Sequence, residues 1–303
     1  MQTQSFPPPV FVLGAPTVPA QTLAAALGAG PASAALPELN LELMTTVDVF
    51  QREMTGIRTP QTHGLLRALS HLLAGEQTAP GIEMARRWLT RRAYMTTGMV
   101  AHEIAAHVAP RRMVVPVTAA IFDRPSLRRL SQTFPQAAFV HLTVHPLAYG
   151  RQLLADPIGP AALQLSGALD ESLDPPLPDP QELWLMTETA AEAFLADLPP
   201  ERAICQRLED LLADPKAALA ALAGRLDLPA DAQSVAAMMR PEGSVFAGVG
   251  PMGAHLPGTI CSLADHAAAL PAPEDLSTPL PWRPDGAPLR DAVRDRAVAL
   301  GYG

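Results

Sequence analysis

Four histidines, His63, His71, His102 and His107, stand before residue 110 of a 303-residue chain, and His141 and His145 bracket a short apolar run further on. Imidazoles beside carboxylates are the usual general acid–base pairs. His102-Glu103 is such a pair by residue type, but adjacent helical residues diverge by about 100° and do not face each other. His102 and His107 are five residues apart, where joint metal ligation on a helix favours four. No metal site is expected. His141 and His145 flank the C-terminal edge of a strand, where α/β proteins bind ligands, and His145-Pro146 reads as a structural turn. No Ser nucleophile elbow, Cys–His pairing or Gly-x-Gly-x-x-Gly motif is visible.

A second kind of chemistry is suggested nearer the N-terminus. Val10 to Leu13 is a short run of apolar β-formers, Gly14-Ala15-Pro16 breaks it, and Gln21 to Leu27 opens a helix. Strand, tight turn and helix together form the frame of an anion site, because backbone N–H groups and the helix dipole converge there. A phosphate loop also needs Gly for close approach, a cation and hydroxyls. Between Pro16 and Leu23 the chain offers Thr17, Val18, Pro19, Ala20, Gln21 and Thr22. That stretch has no Gly and no cation, and Pro19 removes an N–H donor.

These groups must be positioned by a folded chain, and the composition supports one. Hydrophobic residues make up 48% and charged residues 17%, which suits a globular protein rather than a disordered one. A net charge of −8 argues against nucleic-acid binding. Cys205 and Cys261 form no disulfide framework, and Cys205, in an apolar strand-like stretch, is expected to be a buried thiol. No run approaches the roughly 18 apolar residues of a membrane span. Met1 to Ser5 lacks a signal peptide's basic region. The expectation is a cytoplasmic protein, and 33 prolines with abundant Ala suggest a high-GC bacterial source.

The elements read as follows. Residues 1–8 are a Pro-rich lead-in. Thr46 to Leu73 is mostly helical, and Gly81 to Val108 reads as a second long helix crowded by Arg86, Arg87, Arg91 and Arg92, a solvated face paired with local acids or else an anion-facing patch. Arg112 to Val117, Ala138 to Leu142 and Arg202 to Gln206 are further strands. Asp123 caps a helix with Pro125 in its first turn. Residues 181–195, 215–226 and 288–300 are helical. Strands alternating with helices predict an α/β fold with a parallel central sheet flanked by helices. Residues 1–303 read as one domain, with a Pro-rich excursion at about 156–180 and an irregular segment from about 240.

Pro9 to Leu27 resembles the opening motif of the bacterial sulfotransferases that use 3′-phosphoadenosine 5′-phosphosulfate (PAPS): a strand, Gly-x-Pro-Arg-Ser-Gly-Thr, then a Leu-rich helix. Further stretches resemble that family in order along nearly the whole chain. They are Leu36-Pro-Glu-Leu-Asn40, Gly75-Glu-Gln-Thr78, Phe134 to Leu142 with His145-Pro146, Leu208 to Pro215, Arg240 to Gly248, Pro281 to Gly286 and Leu300-Gly-Tyr302. The resemblance implies a P-loop-like sulfotransferase fold and a sulfuryl transfer carried by positioning and charge neutralisation.

Carried over position by position, the family's donor-loop Arg falls on Thr17, its Ser on Val18, its Gly on Pro19, and its hydroxyl residues on Ala20 and Gln21. The Lys after the second strand of the motif falls near Thr118. The Arg that grips the 3′-phosphate falls on Val144, and its assisting Ser near Gln152. Gly14 keeps its place at the head of the degenerate loop, and Thr22, Thr118 and Arg151 remain as partial substitutes. His63, Glu76 and His102 are the candidate catalytic groups on the acceptor side, with a brace at a helix end the equal reading of Glu76.

Each charge-assisted bond to phosphate contributes about 1.5–3 kcal/mol, so losing three or four weakens binding by several orders of magnitude. Three readings follow. In the first, PAPS binding and sulfuryl transfer are lost, no cofactor is used, and the protein is a binding or assembly component for a protein partner or a small hydrophobic metabolite, with self-association open. In the second it is an active sulfotransferase acting on a small-molecule hydroxyl, with PAPS held in an atypical site. In the third the fold performs another reaction on a biosynthetic intermediate. A collapsed cleft with a large exposed apolar patch favours the first, a cation delivered from elsewhere, such as Arg151 or Arg111, the second, and retained acceptor-side aromatics with an enclosed pocket the third.

Overall fold

The computed structural model describes residues 6–121, 123–256, 260–271, 275–283 and 285–303. The first five residues of the Pro-rich lead-in, and Pro284 within the 281–286 stretch, lie outside them. β1 (Val10–Gly14) forms the centre of a five-stranded, all-parallel sheet. The other strands are β2 (Ser33–Ala35), β3 (Arg112–Val117), β4 (Ala138–Thr143) and β5 (Ala203–Arg207), in the order β2-β3-β1-β4-β5. Val10 is in register with Val114 on one side and Ala138 on the other. β1 is buried on both faces, which explains its unbroken apolar run. Pro116 sits in β3, yet β2 pairs only as far as Val114, so the proline lies past the last residue β2 reaches.

Helices cover both faces. Val10, Val12, Val114, Val140 and Leu142 share a core with α1 (Ala20–Gly28), α7 (Pro146–Ala155), α10 (Leu208–Ala213) and α11 (Pro215–Arg225). Phe11, Leu13, Val115, Val117 and Phe139 form the other core with α2 (Val47–Glu53), α3 (His63–Ala74), α4 (Ala79–Thr90), α5 (Thr97–Val108) and α6 (Arg124–Thr133). The long helix α9 (Pro180–Ala196) gives Leu183 and Trp184 to the first core, and Ala191 and Phe194 to the second. The chain leaves β1 toward one edge and β3 toward the other, so the carboxyl ends of β1, β3 and β4 bound the crevice where open parallel sheets bind ligands.

Four expectations are corrected. The stretch 81–108 is two helices, not one: residues 91–96 turn, and the Thr96 hydroxyl accepts the Met99 N–H at 3.1 Å to start α5. The Pro-rich excursion holds α8 (Gly159–Ser166) and a short antiparallel pairing of 169–170 with 177–178. The irregular tail, preceded by α12 (Ala232–Met238), contains the unexpected α13 (Leu263–Ala269), while α14 (Asp291–Ala299) falls within the helix expected over 288–300. Cys205 is exposed, because β5 is the edge strand and only its Ile204 face is buried in the core. The crowded arginines of α4 and the following turn mostly find local partners. Arg87 pairs with Glu83 at 3.0 Å, and Arg92 pairs with Glu103 at 2.8 Å while its guanidinium stacks 3.6 Å from the Trp88 ring centroid. Among the described residues no helix is long and apolar enough to cross a membrane.

Candidate functional site

The turn between β1 and α1 folds in on itself. The Val18 N–H donates to Ala15 O at 3.1 Å and the Ala20 N–H to Val18 O at 2.7 Å, so two amides of the turn are spent within it. Ala15, Val18 and Ala20 are buried in the core, and Val144 packs into the same cluster. Thr17 adopts φ 71°, a left-handed conformation that is strained for a β-branched residue. Its carbonyl accepts the Gln152 side-chain amide at 3.1 Å, and its hydroxyl, buried, has no hydrogen-bond partner among the described residues. Gln21 is half-buried in the first turn of α1. Thr22 is buried, and its hydroxyl lies 2.8 Å from His266 Nε2 on α13. Arg151 lies exposed on α7.

The tail closes over α7 as well. A Cβ at Gly150 would stand 2.2 Å from Cη2 of Trp282, whose indole N–H donates to Asp179 at 3.1 Å. Gly150→Ala is therefore expected to destabilise the protein by about 1–3 kcal/mol, although alanine is the better helix former. Denaturant melts of Gly150→Ala and of Gly150→Ala with Trp282→Ala check this: the second change should relieve the first.

At the carboxyl end of β3 an internal carboxylate takes the available amides. Glu38 accepts the Thr118 N–H, the Ala119 N–H at 2.8 Å and the Thr118 hydroxyl at 3.0 Å. Burial raises the Glu38 carboxyl above its ordinary value, against the pull of those three bonds. Glu42, four residues on, is buried and is pushed up to about 7, first by burial and then by the Glu38 charge. A carboxyl raised from 4.5 to about 7 favours the folded state fully below pH 4.5, and that contribution is lost as pH rises through 7. Glu42→Gln should therefore melt higher than the parent at pH 8, with the gap closing toward pH 4.5. Calorimetric scans at the two pH values read it.

A third polar cluster lies behind β4. Glu188 Oε2 stands 3.3 Å from His141 Nε2, an ion pair rather than an aligned hydrogen bond, and both side chains are buried. Burial, the largest single effect, lowers the His141 pKa, but Glu188 and Cys205 together outweigh it and hold the imidazole up at about 10. The buried Tyr149 hydroxyl has no hydrogen-bond partner among the described residues, and burial together with the Glu188 charge raises its pKa. His145 caps α7 through Nδ1, and its own N–H donates to Glu209 at 2.8 Å. Tyr302 donates to the other Glu209 oxygen at 3.0 Å and packs edge-on against His145.

No protein-family model matches the chain, and no curated protein matches it by sequence. Solved structures do. The sulfotransferase domain from the curacin biosynthetic pathway superposes with a TM-score of 0.73 at 19% identity, covering 99% of each chain. The sulfotransferase domain from the Synechococcus PCC 7002 olefin synthase gives 0.70 at 18% identity, over 100% of this chain and 98% of that one. This chain has the sulfotransferase fold.

Set on the sulfotransferase fold, the candidate residues separate into two groups. Gly14, Thr17 to Thr22, Val144 and Gln152 lie together at the carboxyl edge of the sheet. Thr118 is committed to Glu38. The candidate catalytic groups do not converge. His63 donates from Nδ1 to His255 O at 2.7 Å. Glu76 is exposed after α3, accepting from Thr78 at 3.2 Å. His102 donates to Thr133 O at 2.7 Å and packs on Phe134. Glu38, Glu42 and Glu188 were missed as site residues. Leu36-Pro-Glu-Leu-Asn40 pointed at the first of them, and nothing local to α9 marks Glu188 as the partner of a histidine 47 positions earlier.

Proposed function

We propose that this sulfotransferase-fold protein binds no PAPS, transfers no sulfuryl group, and works as a cytoplasmic binding or assembly component. Its ligand is a protein partner or a small hydrophobic metabolite, and residues 1–303 act as one unit. The observation that carries the reading is the turn at residues 14–20, filled by the chain itself. Val18 and Val144 are buried where the resemblance places a hydroxyl and a phosphate-gripping Arg, and the Gln152 amide donates to the turn instead of to a ligand. Desolvating a polyanion against such a wall, without cations, is strongly unfavourable.

Titration with 3′-phosphoadenosine 5′-phosphate, the donor without its sulfuryl group, tests this by calorimetry and thermal shift. The expected result is no heat and no shift at about millimolar ligand. A micromolar site would add about 4 kcal/mol of stability at a thousandfold excess over Kd, and that outcome would overturn the proposal.

A further inference from the structure

A cavity of about 280 Å³ opens beside the far end of α1, touching it at Ala25 and Gly28, away from the 14–20 turn. Three basic side chains line it: Arg111 and Arg240, both exposed, and the half-buried His71. None of its described lining residues is an Asp or Glu, in a chain whose net charge is −8. Neither arginine side chain makes a hydrogen bond or ion pair with another described residue. Solvated arginines are common on surfaces. What distinguishes these two is the concave apolar wall beside them.

That wall is built by Leu36, Leu72, Val108, Val245 and Phe246. Phe246 is itself buried, and its ring meets His71 edge-on with centroids 5.5 Å apart. The Ser244 hydroxyl accepts the Phe246 N–H at 3.3 Å and keeps its own proton to donate. Burial, and secondarily the Arg111 charge, hold the His71 pKa below its ordinary value, as expected where positive groups face one another without a counter-charge. A few convergent polar groups against an apolar wall form the usual anatomy of a small-molecule site.

We infer that this cavity binds a small organic anion, a carboxylate or phosphate head on a short apolar body. The head lies between Arg111 and Arg240, where guanidinium forks match its oxygens, and the body lies on Phe246 and Leu72. The inference goes beyond the absence of donor binding and does not depend on it, because residues 14–20 line no part of this cavity.

The test is a titration of the full chain with phenyl phosphate and with benzoate, followed by calorimetry and by the His71 side-chain NMR signal, which is identified by its loss in His71→Gln. Phenol supplies the body without charge, and inorganic phosphate the head without a body. At least one of the two anions should saturate with a Kd of about a millimolar or tighter, and should shift the His71 signal. Arg111→Ala and Arg240→Ala should each weaken it about tenfold or more. Phenol and inorganic phosphate should both bind more weakly than that anion. Saturation by neither anion at about 10 mM, undiminished affinity in both alanine variants, or phenol binding as tightly as the anions would each overturn the inference. The His71 shift is read on the unaltered protein, so the inference stays testable if an alanine variant fails to fold. 3′-Phosphoadenosine 5′-phosphate, added in parallel, separates this site from the 14–20 turn: a ligand there leaves the His71 signal in place.

Discussion

Glu188→Ala is expected to cost about 3–5 kcal/mol of stability, because it strands the His141 imidazolium in the interior. The two side chains are 3% and 1% exposed, so solvent cannot take over the lost partner. Their titration gives the effect a pH signature. His141 is raised from 6.5 to about 10, so its contribution is fully present below pH 6.5 and is lost as pH rises through 10. In the variant only Cys205 still opposes burial, the largest single effect on the imidazole, and burial disfavours the charged form. The gap between parent and variant should therefore be widest in mildly acidic buffer and should narrow above pH 10. Denaturant midpoints across that range measure it. Replacing both members, His141→Leu with Glu188→Leu, should recover much of the loss, because an apolar pair leaves no charge behind. If Glu188→Ala melts like the parent at pH 6, the pair is not an ion pair in solution.

Trp184→Ala is expected to cost a further about 3–5 kcal/mol, independently. The indole is 0% exposed, and its N–H donates to Val144 O at 2.8 Å. Removing it leaves a cavity in the core shared with α1 and α7, and strips a carbonyl at the carboxyl end of β4 of its donor. Trp184→Phe separates the two contributions, retaining most of the packing and giving up the bond, for about 1 kcal/mol beyond the lost volume. Equilibrium unfolding of both variants gives the split. A loss with Trp184→Phe as large as with Trp184→Ala would mean that the bond, and not the packing, dominates.

Most of the sheet could be read from the sequence. β1, β3 and β4 announce themselves as apolar β-branched runs, and the caps at Asp123 and His145 follow from residue type and the prolines behind them. β2 does not show, because Ser33-Ala34-Ala35 has no strand character of its own. It exists by pairing with Arg112 to Val114, about 80 residues away. Cys205 was misread because a short apolar stretch does not reveal whether a strand is at the centre or the edge of its sheet. The resemblance pointed to Gln152 beside the 14–20 turn, but not to His266, which arrives from α13 to meet Thr22 and is brought in only by the fold. Nor did it point to Glu188, which α9 brings to His141 on β4.

One helix also governs how the molecule comes apart. Because α9 places Trp184 in the core on one side of the sheet and Phe194 in the core on the other, neither side can loosen without dragging on its neighbour. The two halves share one cooperative fate. A local opening that frees one end of α9 raises the strain on the other, so amide exchange along this helix should track the slowest, whole-molecule opening rather than any regional one.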